Sequence, residues 1–253
     1  MNDKPTLFIV GKPTWKDELI EQLPDFVIRQ KTEEQAYITA LIETQAALIL
    51  IDGASDNCSL WVSSPKVSPA TRRIPIIVIT NQADLTADAL LHGADGVLSA
   101  AELLKDAEQV IKNYARLPDP ERMTQLDCDC QEELPELAKE AVRQFNAGEY
   151  YQQHDLFEAL WMKTASPVRD LYRAVLQVGI AYYQIERGNY RGALKILQRS
   201  VQWLIILPNE CQGIDVKQLR EDSFRVRAEL ERLGEARFIE FDTKLLHNIK
   251  MLY

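Results

Sequence analysis

Residues 46–52 read AALILID and residues 74–80 read IPIIVIT. Runs so uniformly apolar leave no side for water, so they suit strands covered on both faces, as in a parallel sheet. TLFIVG (6–11), DFVIRQ (25–30) and GADGVL (93–98) are further short apolar segments. Between them lie stretches with helical periodicity: TWKDELIEQL (14–23), TEEQAYITALIETQ (32–45) and ADLTADALLHGAD (83–95). Strands alternating with helices predict an α/β domain over residues 1–115, a doubly wound parallel sheet with helices on both faces. Thr32 is the expected cap of the second helix, with Glu33 and Glu34 in its first turn. The segment DGASDNCSLWVSSPKVSPATRRIP (52–75), rich in serine, proline and small residues, predicts a long loop with at most one helical turn. Its Trp61 is expected to pack over the end of the third strand.

In open sheets of this kind, functional groups collect at the C-terminal ends of the strands. Those ends carry Gly11 and Lys12, Asp52, Thr80 and the segment after Leu98. With Asp52 closing LILID, Thr80 closing IPIIVIT and GADGVL before the last helix, residues 5–115 resemble the receiver domain of bacterial two-component response regulators. The resemblance implies a flavodoxin-like fold in which an aspartate accepts phosphate and a threonine reports it. It also implies two acids after the first strand that hold magnesium, and a lysine after the fifth. Asp52 and Thr80 match, but Gly11 and Lys12 stand where the acidic pair belongs, and Ser99, Ala100 and Ala101 where the lysine belongs. Phosphoryl transfer needs cations to neutralise charge on the transferred oxygens. The departures therefore predict a degenerate receiver, incompetent in phosphorylation and kept for docking or dimerisation, with Lys12 placed to pair with Asp52.

ARLPDPERMTQLDCDCQEELP (115–135) ends the alternation. Two closely spaced prolines and a run of acids predict an acidic linker over 116–131. Beyond it every periodic segment is helical, so an all-helical domain is expected over 132–253, with helices at 132–146, 149–164, 168–187, 190–206, 215–233 and 235–252. FNAGEYY (145–151) and IERGNYR (185–191) echo each other across helix ends, which suggests hairpins like those of tetratricopeptide repeats in a compact bundle.

Within YYQQHDLFEALW (150–161), Tyr150, Tyr151, His154, Phe157, Glu158 and Trp161 fall within about a third of a helix's circumference. That arc is expected to face the core. On the helix at 168–187 only Arg173, Gln177 and Gln184 interrupt the apolar surface, and buried polar groups need partners. Arg173 and Gln177 are thus expected to meet His154 and Glu158. FNAGEYYQQHDLFEALW followed by LQVGIAYYQIERGNYRGALKIL resembles the helical family catalogued as domain of unknown function 309, through Phe145, Gly148, His154, Glu158, Trp161, Gly188, Asn189, Gly192 and Ala193. The resemblance covers residues 135–207 and implies an all-helical fold with no assigned activity.

The His154/Glu158 pair admits several readings. A zinc site needs at least three protein ligands, and the chain has only two other histidines, His92 in the first domain and His247, expected to be exposed. No metal and no cofactor is expected. An enzyme using His154 and Glu158 as acid and base is the alternative. A hydrogen-bonded strut and a binding site for a peptide or small ligand, formed by His154, Glu158, Trp161, Tyr151, Arg173 and Gln177, complete the set.

Composition bounds the rest. The 253 residues are 46% hydrophobic and 26% charged, without a run long enough to span a membrane and without a signal peptide pattern. Residues 1–115 carry 10 basic and 16 acidic side chains, net −6; residues 136–253 carry 17 and 16, net +1. Neither is a basic module, which argues against nucleic-acid binding. The four cysteines show no disulfide spacing and suit a reducing cytoplasm, with Cys128 and Cys130 as exposed linker thiols. The expected protein is a cytoplasmic, non-catalytic signalling or scaffolding adaptor that meets a protein partner or its own copy through the receiver-like domain.

Overall fold

The computed structural model describes residues 4–252. The chain divides into two compact units, Met1–Pro118 and Asp119–Tyr253. In the first, five strands lie parallel: β1 (Thr6–Val10), β2 (Val27–Lys31), β3 (Ala46–Asp52), β4 (Ile76–Ile79) and β5 (Gly96–Leu98), in the spatial order β2-β1-β3-β4-β5. Successive side chains of a strand point to opposite faces, and here both faces are buried. Phe8, Val10, Ile49, Ile51, Ile76 and Val78 meet Tyr37, Leu41 and Trp61 on one side. Leu7, Ile9, Leu48, Leu50, Ile77 and Ile79 meet Leu19, Leu103 and Ile111 on the other. Helices α1 (Lys16–Gln22), α5 (Ala100–Lys105) and α6 (Ala107–Tyr114) supply the second layer; α2 (Tyr37–Glu43), α3 (Cys58–Val67) and α4 (Ala83–Leu91) supply the first. Each fully buried Leu or Ile contributes about 1.5–3 kcal/mol, which explains why β3 and β4 tolerate no polar residue before their last position.

Two local expectations are corrected. Thr32 caps nothing: residues 32–36 are irregular and α2 begins at Tyr37, after Ala36 in a left-handed conformation. The serine-rich stretch after Asp52 contains a ten-residue helix, α3, where at most one helical turn was expected, with turns on either side of it. Trp61 is 4% exposed, donates its indole N–H to the Asp56 carbonyl and meets Tyr37 edge-on, so aromatic burial overrides poor helix propensity.

The second unit is mainly helical: α7 (Pro120–Cys130), α8 (Glu136–Asn146), α9 (Gln152–Lys163), α10 (Arg169–Glu186), α11 (Tyr190–Ile206) and α12 (Val216–Leu233), with a small hairpin of β6 (Glu210–Cys211) and β7 (Ile214–Asp215). Helix α10 is central and packs against both α9 and α11. The echo noted above has a structural cause. Gly148 and Gly188 both adopt positive φ after a helix, and the next residue's N–H reaches back to Gln144 in one case and Gln184 in the other. Each is a helix C-terminal turn, which joins α8 to α9 and α10 to α11 as hairpins.

The expected linker at 116–131 is mostly helix α7. Leu126 and Cys130 enter the core, and the buried carboxylate of Asp129 accepts the backbone N–H of Val168 and the amide of Gln125. Arg122 pairs with buried Asp170 at 2.7 Å. Cys130 and Cys211 form a disulfide, so these two are not free thiols; Cys128 remains exposed and Cys58 half-buried. The acids that signalled a linker lie largely on α7's exposed side, and a sequence cannot show which face of a single short helix is covered.

The expected helix at 235–252 is two short 3₁₀ segments, Glu235–Glu240 and Thr243–Leu245, followed by extended chain. Residues 249–252 run beside the hairpin: Asp215 N–H donates to the Lys250 carbonyl and Leu252 N–H to that of Gly213. The Asn146 side chain donates to the Ile249 carbonyl and accepts its N–H, at 2.9 and 2.7 Å. His247, expected to be exposed, is partly covered and lies 2.9 Å from the buried carboxylate of Asp222. Among the described residues no helix is long and apolar enough to cross a membrane.

Candidate functional site

At the C-terminal edge of the first unit's sheet, Asp52 closes β3 and its carboxylate accepts the N–H of Ala54 at 3.1 Å. Gly11 follows β1 with φ +96°, and a Cβ there would lie 2.1 Å from the Ser55 hydroxyl and 3.0 Å from the Asp52 Cβ. Ser55 therefore occupies the space beside the aspartate into which a side chain at position 11 would project. Its hydroxyl is buried without a hydrogen-bond partner among the described residues. Thr80 is close by: a Cβ on Gly53 would meet its side chain at 2.7 Å, and its hydroxyl accepts the N–H of Gln82. Lys12 is exposed and forms no ion pair with Asp52 among the described residues, which corrects that expectation. Among the described residues no group of three or more His, Cys, Asp or Glu side chains is placed to hold a metal ion.

In the second unit, α9 turns about its axis relative to the expected arc. Tyr150, Gln153 and Phe157 face the core, at 7, 0 and 0% exposure, whereas Glu158 is exposed and His154 only partly covered. His154 stacks on Tyr151 and its Nδ1 lies 3.1 Å from Asp155; among the described residues no hydrogen bond or ion pair joins it to Glu158. The buried polar strut exists one residue earlier. The Gln153 amide donates to the carbonyls of Tyr150 and Leu176, and only a glycine at 179 leaves it room, since a Cβ there would lie 2.3 Å from its nitrogen. Below it Phe145, Tyr150 and Tyr182 pack together, and burial pushes both phenols' pKa up.

Arg173 and Gln177 form a half-buried strip on α10, and two indoles lie against Arg173. The Arg173 guanidinium lies 4.9 Å from the centre of the Trp161 ring, on α9, and 3.9 Å from that of Trp203, on α11. Arg169, one turn earlier, lies 5.8 Å from Trp161. The strip thus runs between two helices, with an indole from each on the same cation. Tyr151, at the far end, contacts Tyr183 of α10. Sequence reasoning places Trp161, Arg173 and Gln177 together and misses Arg169 and Trp203. The available signals are the i, i+4 spacing of Arg169 to Arg173 and the side of α11 that Trp203 shares with Ile196.

Residues 138–196 match the model of the family described as "Domain of unknown function (DUF309)". The match takes in α9, α10 and the strip up to Gln177, and ends before Trp203. An uncharacterized protein of Aquifex aeolicus (strain VF5) is 25% identical over 116 residues, which is 46% of this chain and 33% of that protein. The chain thus spans about a third of that relative's length.

Proposed function

We propose that this chain is a non-catalytic signalling or scaffolding adaptor, with a degenerate receiver of flavodoxin-like fold as its docking or dimerisation element and the α10 strip as a binding surface; the Cys130–Cys211 disulfide removes the basis for placing it in a reducing cytoplasm. The observation that carries the reading is Arg173 held between Trp161 and Trp203. A cation fixed on two partly covered indoles is a recognition surface ready before its ligand arrives, and such preorganisation saves ordering entropy on binding. The alternative, an enzyme working through His154 and Glu158, draws less support: Glu158 is exposed, and His154 contacts Asp155 rather than Glu158 among the described residues. For the first unit, the strand order β2-β1-β3-β4-β5 supports the flavodoxin-like reading, and Ser55 beside Gly11 favours a closed site.

Two results follow from this reading. With magnesium and acetyl phosphate, intact-mass analysis of the full chain detects no acid-stable or acid-labile phosphate on Asp52; stoichiometric labelling there would overturn the degenerate-receiver reading. In cells, proximity labelling of a partner is lost on Trp203→Ala and kept on His154→Ala and Glu158→Gln. A turnover activity abolished by both His154→Ala and Glu158→Gln would overturn the adaptor reading in favour of an enzyme.

A further inference from the structure

The two halves of the Cys130–Cys211 disulfide differ in access. Cys211 is fully buried, whereas Cys130 is 7% exposed and borders a cavity of about 440 Å³ between the end of α7 and the β6–β7 hairpin. Glu132, Glu133, Glu210, Gln212 and Gly213 line the same cavity. A disulfide opens when a thiolate attacks one sulfur and expels the other, so Cys130 is the half at which attack begins. The hairpin does not depend on the bond alone. The Gln212 N–H donates to the Cys130 carbonyl at 2.8 Å, and its side chain donates to the Asp129 carbonyl and accepts from the Tyr172 hydroxyl. These contacts keep Cys211 beside Cys130 when the bond is open, which lets the pair close again.

Charge at the cavity then decides which thiols attack fastest. Glu133 is paired with Lys139 at 2.6 Å, but Glu132 and Glu210 are exposed and form no ion pair among the described residues. No lysine, arginine or histidine is among the described residues that line the cavity. The attacking group is itself an anion, so the rest of the thiol molecule sets how strongly the two glutamates repel it. A thiol bearing an ammonium group arrives with no net charge, and one bearing carboxylates arrives as a multiple anion.

We propose that Cys130–Cys211 is a reversible redox site of the folded protein, opened by exchange at Cys130 through this cavity and selective for amine-bearing over carboxylate-bearing thiols. In the first step a thiolate bonds to the Cys130 sulfur while the S–S bond breaks. Its electron pair goes to the Cys211 sulfur, which takes a proton from solvent. A second molecule of the same thiol attacks the mixed disulfide, leaves as the oxidised dimer and restores the Cys130 thiol, so two thiols are oxidised for one bond reduced.

The test uses the full chain in native buffer with cysteamine, 2-mercaptoethanol or mercaptosuccinate. Samples are quenched in acid, alkylated and read by intact and peptide mass. Each rate is divided by the same thiol's rate on an uncharged small disulfide, which removes differences in thiol acidity and nucleophilicity. The transient mixed disulfide maps to Cys130, and mercaptosuccinate is at least about fivefold slower than 2-mercaptoethanol at low salt, with cysteamine the fastest. The gap narrows at about 1 M salt and in Glu132→Gln/Glu210→Gln, whose changes are both at exposed positions. A mixed disulfide on Cys211, equal normalised rates for the three thiols, or opening only in urea overturns the proposal. A gap that survives both salt and the double variant overturns it too, because the glutamates would not be its cause.

Discussion

Reducing the Cys130–Cys211 disulfide lowers the stability of the helical unit by about 4 kcal/mol. The bond closes a loop with a sequence separation of 81 residues, which takes in α8 to α11 entire. Constraining so long a loop removes much of the unfolded chain's freedom, and the estimate follows from that entropy. Native contacts at the cross-link survive reduction: Gln212 accepts from the Tyr172 hydroxyl and donates to the Asp129 carbonyl, and its N–H reaches Cys130. The fold should therefore persist without the bond while its urea midpoint falls. Circular dichroism of the full chain through urea, with and without a phosphine reductant, reads the effect, and Cys211→Ser should reproduce the reduced curve. A midpoint indifferent to reductant would show that this pair does not stabilise the folded protein by cross-linking it.

Phe157→Ala costs about 3–5 kcal/mol, whereas Glu158→Gln, its neighbour, changes stability by less than about 0.5 kcal/mol. Phe157 is fully buried and stacks on Tyr172, so truncation leaves a cavity between α9 and α10 that the packed surroundings fill only in part. Glu158 is exposed, and its charge is screened by water. The same denaturation experiment compares the two variants. A loss of about 2 kcal/mol or more in Glu158→Gln would restore the charge-assisted strut and with it the expected phase of α9.

That phase shows where the sequence stops being legible. The wheel that gathers His154, Glu158 and Trp161 into one arc differs from the actual orientation by less than a third of a turn, enough to exchange Gln153 for Glu158 as the buried polar group. Glutamine is a poor signal of burial, and its fit depends on Gly179, a position on another helix. The sheet, by contrast, was legible at β3 and β4, because burial on both faces leaves only apolar residues to choose from. Helix α3 was not, since Ser63, Ser64 and Pro65 carry loop propensity and the stabilising contact between Trp61 and Tyr37 is non-local. Likewise Cys130 and Cys211 lie far apart in sequence, and nothing in the spacing of four cysteines pairs them. Arg173 and Gln177 were readable as an interruption in an apolar helix; their companion Trp203 was not, because its placement depends on how α11 lies across α10.

The four tryptophans divide by accessibility in a way that serves experiment. Trp15 and Trp61 are 7% and 4% exposed, shut inside the first unit, whereas Trp161 and Trp203 are partly open and each touches the guanidinium of Arg173. A neutral quencher such as acrylamide therefore reaches only the second pair in the folded chain. The protected fraction of the emission marks the intact sheet, and the quenchable fraction is a built-in optical probe of the α10 strip that needs no label.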